Sequence, residues 1–121
     1  MKLLVAVAAL AVVAGGSAYG AKPKTPPTRV QVTAKEYFFA LSQHVVNPGP
    51  AIVQLVNFGE DPHDLRMKRI GGIYLYKTPE LQPGGIYNLS LTLVPGRYQL
   101  WCSIANHRAL GMQAVLRVRN R

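Results

Sequence analysis

The stretch Ile86-Tyr87-Asn88-Leu89-Ser90-Leu91-Thr92-Leu93-Val94-Pro95-Gly96 alternates along most of its length. Leu89, Leu91 and Leu93 fall on one face, and Asn88, Ser90 and Thr92 on the other. A period of two is that of a β-strand with one buried face, and Val94-Pro95-Gly96 supplies the turn that ends it. Working outward, similar short runs are bounded by turn residues: Arg29 to Ala34, Tyr37 to Leu41, Ala51 to Phe58, His63 to Ile70, Arg97 to Cys102 and Met112 to Val118. The breaks fall at Asn47-Pro48-Gly49-Pro50, Gly71-Gly72 and Gln82-Pro83-Gly84-Gly85. About seven strands with this punctuation, and no helical periodicity, predict an all-β Greek-key antiparallel β-sandwich. Gly72 to Pro83 has the least regular pattern and reads as a loop or a short helical turn.

The N-terminus reads differently. Lys2 precedes an apolar run from Leu3 to Ala14, followed by small residues ending Ala18-Tyr19-Gly20, the pattern of a secretory signal peptide over residues 1–20. The run is shorter than the roughly 20 residues of a membrane-spanning helix. Retention of this segment as an anchor is the alternative to cleavage after Gly20. Residues 21–28, with Pro23, Pro26, Pro27 and two lysines, read as an extended linker, which leaves one domain over residues 29–119. The expected location is therefore periplasmic or extracellular, as a monomer without stable membrane insertion once the leader is removed.

The chain has 14 Lys and Arg against 5 Asp and Glu, a formal net charge of +9. Such a balance favours acidic partners. Nucleic acid is a poor fit, because the basic residues are scattered and no aromatic-rich binding motif accompanies them. The single cysteine, Cys102, can form no internal disulfide. In an exported protein it is an inert buried residue, a reactive thiol or a metal ligand.

Its neighbours decide between these. Trp101-Cys102-Ser103-Ile104-Ala105-Asn106-His107-Arg108-Ala109-Leu110-Gly111-Met112 sets a thiol, an imidazole and a thioether at five-residue intervals, and His63 offers a second imidazole. A thiolate, two imidazoles and a weak axial thioether form the ligand set of a blue copper ion that cycles between Cu(I) and Cu(II). Zinc suits thiolate and imidazole but has little use for Met112. Tyr98, Leu100 and Cys102 share one strand face, which turns Cys102 inward, and a sandwich can bring His63 to the same end. His44 reads as an exposed histidine and Met67 as core filling.

Pro62-His63 and the segment from Cys102 to Met112 resemble the cupredoxins, the small type 1 copper proteins that include plastocyanin, amicyanin, pseudoazurin and azurin. The resemblance extends over roughly Val30 to Val118 and implies one copper ion held by His63, Cys102, His107 and Met112. It also implies His107 as the partly exposed ligand through which electrons leave, ringed by apolar residues such as Ala109 and Leu110, with Arg108 beside it. Asp64 stands where many members have asparagine. Its carboxylate can accept a hydrogen bond from Ser103, its N–H can reach the thiolate, and its charge should favour Cu(II), opposed by Arg108 and the general positive field.

The expected function is exported single-electron transfer between redox partner proteins with acidic docking surfaces, without substrate turnover. Only three histidines exist, and the proposed centre consumes two, so no further imidazole-rich copper site can be built. The alternative is a copper carrier or buffer that delivers metal to an oxidase, although no Met- or His-rich tract favours it.

Overall fold

The computed structural model describes residues 25–120. The leader expected over residues 1–20, and the first half of the linker, lie outside the described residues. Among the described residues, nine strands form two sheets: β1 (Thr28–Lys35), β2 (Phe38–Leu41), β3 (Val45–Val46), β4 (Gly49–Asn57), β5 (Arg66–Arg69), β6 (Leu75–Lys77), β7 (Ile86–Leu93), β8 (Gly96–Trp101) and β9 (Gln113–Val118). One sheet runs β2-β1-β4-β7 and the other β3-β9-β8-β5-β6. The two inner faces meet in one apolar core that includes Val32, Val53, Leu55, Leu65, Met67, Leu100 and Leu116. Alternation drives this burial. In β7, Leu89, Leu91 and Leu93 face inward while Asn88, Ser90 and Thr92 face solvent.

The β-sandwich expected from the sequence is present, with five differences in detail. The sheets are mixed, because β1 pairs with β4 and β3 with β9 in parallel. Parallel neighbours need crossover connections, which no local pattern in a strand announces. Two short strands add to the expected seven. β3 is two residues long, and β6 lies inside the segment read as a loop or helical turn. Conversely, His63 is not part of a continuous strand to Ile70: it makes only an isolated bridge to Leu81, and the strand begins at Arg66. A four-residue helix, α1 (His107–Leu110), occupies the loop after β8 where no helix was expected. Finally, β1 begins at Thr28, within the expected linker.

The strands set a clear polarity. β1, β4 and β8 all run toward one end of the sandwich, where Lys35, Asn57 and Trp101 terminate their strands, the antiparallel β5 begins at Arg66, and the segments containing His63 and α1 are found. We call this the upper end. At the lower end lie the β7–β8 turn at Val94-Pro95 and the β5–β6 turn that follows Arg69. Among the described residues, no helix is long and apolar enough to cross a membrane.

Candidate metal centre

Three buried side chains meet at the upper end. The ligand atoms of His63, Cys102 and His107 all lie within 4.8 Å of one another, and Cys102 Sγ is 3.7 Å from His107 Nδ1. Bonds of about 2.0–2.3 Å to nitrogen and sulfur around one ion produce donor separations of this size. Each side chain arrives by a different route. Cys102 follows the last residue of β8, and the alternation Tyr98, Leu100, Cys102 carries it into the core. His107 opens α1, where its N–H is held by the Ile104 carbonyl at 3.1 Å. His63 is pinned by reciprocal backbone bonds with Leu81, at 3.0 and 2.8 Å.

The two ring nitrogens of His63 stand in different surroundings. Its Nε2 lies 3.0 Å from Glu36 Oε1, whereas its buried Nδ1 has no partner among the described residues. A buried ring nitrogen without a partner is costly in a core, and the cost disappears where a metal accepts its lone pair. The carboxylate on the far nitrogen selects the Nε2–H tautomer and so leaves Nδ1 unprotonated. Glu36 is itself held as an anion: it accepts from Asp61 N at 2.6 Å and Glu60 N at 2.7 Å. The Asp61 amide is the main reason its pKa is lowered to about 2.

Met112 is the expected thioether donor. It is fully buried, its N–H donates to the His107 carbonyl, and its carbonyl accepts from Cys102 N, both at 3.1 Å. The thioether residue is thereby tied, backbone to backbone, to two of the three clustered residues. Gly111 allows the approach. Its φ of +129° and the Tyr37 carbonyl, 2.7 Å from where a Cβ would stand, both exclude a side chain.

Burial pushes the Cys102 thiol pKa up, and the backbone N–H groups of Asp64 and Ile104 oppose this by stabilising the thiolate. Asp64 is itself almost fully buried. Its carboxylate binds Ser103 twice, accepting from the backbone N at 2.7 Å and from the hydroxyl. The cation beside Asp64 is Arg66, at 3.3 Å, and not Arg108, whose guanidinium lies 4.6 Å over the Trp101 ring. Thus β5, and not the loop after Cys102, supplies the compensating charge.

His107 is more covered than the resemblance implies. Only 7% of it is exposed, because the Tyr37 ring lies 4.9 Å away and Asp61 Oδ2 is 4.0 Å from Nε2. Tyr37 also donates to Asp61 at 2.9 Å. Ala109 and Leu110 are exposed beside it, as expected. His44 is exposed and Met67 buried in the core, so neither joins the cluster.

Sequence reasoning did not single out Glu36, Tyr37, Asn57 or Asp61. Asn57, fully buried, donates to the carbonyls of Asp61 and Leu81 and accepts from Gly59 N, joining the end of β4 to both segments that flank His63. The one available signal was a glutamate between two short strands, which by itself is an ordinary surface residue.

No protein-family model matches the sequence, and no curated protein matches it. Solved structures do match. Dithionite-reduced auracyanin from the photosynthetic bacterium Roseiflexus castenholzii superposes with a TM-score of 0.64 at 19% identity, over 79% of this chain and 100% of that one. Auracyanin A, a "blue" copper protein from Chloroflexus aurantiacus, gives 0.62 at 16% identity over 78% and 100%. The copper-containing nitrite reductase from Thermus scotoductus gives 0.51 at 27% identity, over 86% of this chain but 25% of that one. The fold is the cupredoxin β-sandwich, and the His63–Cys102–His107 cluster with Met112 is suited to one type 1 copper ion.

Proposed function

We propose that this protein is an exported type 1 copper protein that carries single electrons between redox partners, with His63, Cys102, His107 and Met112 as the ligands. The observation that carries this reading is the buried, unpartnered Nδ1 of His63 among the clustered donors of Cys102 and His107. Bound copper supplies a one-electron couple at neutral pH. The chain's own part is to hold the donors still. Glu36 orients His63, the Asp64 and Ile104 amides support the Cys102 thiolate, and the backbone bonds of Met112 fasten the ligand loop. Donors fixed on rigid sheets change little between oxidation states, which favours fast transfer without turnover of a substrate.

His107 and the exposed Leu110 beside it offer a surface for transient docking. All five acidic residues, Glu36, Glu60, Asp61, Asp64 and Glu80, belong to the segments at this upper end. The positive net charge therefore overstates how well an acidic partner is received here, and Arg108 is the cation next to His107 in sequence.

The test is the visible spectrum of the purified protein after addition of Cu(II), followed by voltammetry. An intense thiolate-to-copper band that Cys102→Ser abolishes and Met112→Leu alters, with a reversible one-electron wave, is the expected result. A protein that stays colourless, or binds copper without dependence on Cys102, would overturn the reading.

A further inference from the structure

We infer that the lower end of the sandwich, opposite the proposed metal centre, docks on an anionic lipid surface. Its most exposed part is the β5–β6 turn, where Ile73 is 98% exposed, Tyr74 66% and Ile70 57%. Isolated exposed apolar residues are ordinary in soluble proteins. Here they project together from one hairpin, with Val94 exposed on the neighbouring turn. The Ile70 N–H donates to the Arg97 carbonyl at 2.8 Å, and Arg69 Nε donates to the Pro95 carbonyl at 2.9 Å, which fastens the two turns together. Tyr74 packs on Tyr76 with ring centroids 4.6 Å apart, so the hairpin has internal support.

Charge selects the occupant. With every acidic residue of the chain at the upper end, the lower half carries Arg29, Lys68, Arg69, Arg97, Arg117 and Arg119 with no acidic residue among them. An apolar tip set in a purely cationic surround matches the layering of a bilayer with acidic headgroups, whose potential attracts each nearby Lys or Arg while aliphatic and aromatic side chains enter the interface. A cationic surface alone would equally receive an acidic protein, but Ile73, standing almost wholly in water, needs an apolar phase that a rim of acidic side chains does not supply. The orientation also makes sense. β8 separates the two ends by roughly 20 Å, so a molecule docked at its lower end presents His107 away from the bilayer.

The proposal is tested by sedimentation of the protein, as exported by the expressing cell, with vesicles of phosphatidylcholine alone and of phosphatidylcholine mixed with phosphatidylglycerol. Binding is expected only to the mixed vesicles and should weaken as salt rises. Ile73→Asp should weaken it about tenfold or more, and Arg97→Gln about fivefold. Because both side chains lie far from the proposed ligands, the absorption spectrum of the copper-loaded protein should be the same in both variants as in the wild type. Absence of vesicle binding, equal binding to both compositions, or binding that Ile73→Asp leaves intact would each overturn the proposal. The last outcome would assign attachment to another segment, such as the leader. None of these outcomes depends on whether the protein transfers electrons.

Discussion

Glu36 Oε1 lies 3.0 Å from His63 Nε2, so an acidic residue in the turn between two strands of one sheet sets the tautomer of a histidine at the mouth of the other. The same oxygen gathers the amides of Glu60 and Asp61, and Gly59 is so close that any side chain there would strike the carboxylate. The segment leading to His63 is thus folded around one anion.

Replacing Glu36 with glutamine should lower copper affinity by about 10–100-fold, because His63 exchanges an anionic acceptor that raises its basicity for a neutral amide that can also turn its donor toward the ring. Competition titration against a copper chelator measures this. Unchanged affinity would show that packing alone orients the ring.

The same residue governs acid stability in the metal-free protein. Its carboxyl is lowered from 4.5 to about 2 in the folded state, so its contribution to stability is present above about pH 4.5 and is lost as pH falls through 2. Urea unfolding of the metal-free wild type should show stability declining across that interval. Glu36→Gln should decline less steeply, and equal slopes would assign the acid sensitivity elsewhere.

Asp64→Asn should raise the reduction potential. Removing a carboxylate near the thiolate favours Cu(I), while the loss is tempered because Arg66 already offsets part of the charge. An upward shift on the order of 50 mV is expected by voltammetry. A shift of zero or a downward one would mean that the Arg66 pair screens Asp64 completely.

Gly111→Ala should destabilise the protein by about 1–3 kcal/mol, from the left-handed backbone it must hold. The clash with the Tyr37 carbonyl adds to this and should displace Met112, so thermal unfolding and the copper absorption spectrum should change together. An altered Tm with an unaltered spectrum would separate the loop's stability from the ligand geometry.

Much of the sandwich was legible because alternation in a strand is a local signal: β7 has the bounds read from Leu89, Leu91 and Leu93 and their polar neighbours. Likewise, the chemistry of thiol, imidazole and thioether at fixed spacing named the proposed ligands before their positions were known. The short β3 and β6 escaped notice because two or three residues cannot display a period. The parallel pairing of β1 with β4 escaped because register is decided between strands and not within them.

The sequence by itself determined which donors this protein can offer a metal, and the alternation that buries Cys102 at the end of its strand. Only the tertiary structure decided which groups orient those donors. Glu36 reaches His63 across 27 residues, Asp64 reaches Ser103 across 39, and the Tyr37 ring covers His107 from a loop between β1 and β2. Such contacts depend on how two sheets pack and where their loops converge, and no spacing along the chain encodes them. The confinement of the acidic residues to one end is of the same kind, since the net charge is a sum and its polarity appears only once the strands have directions.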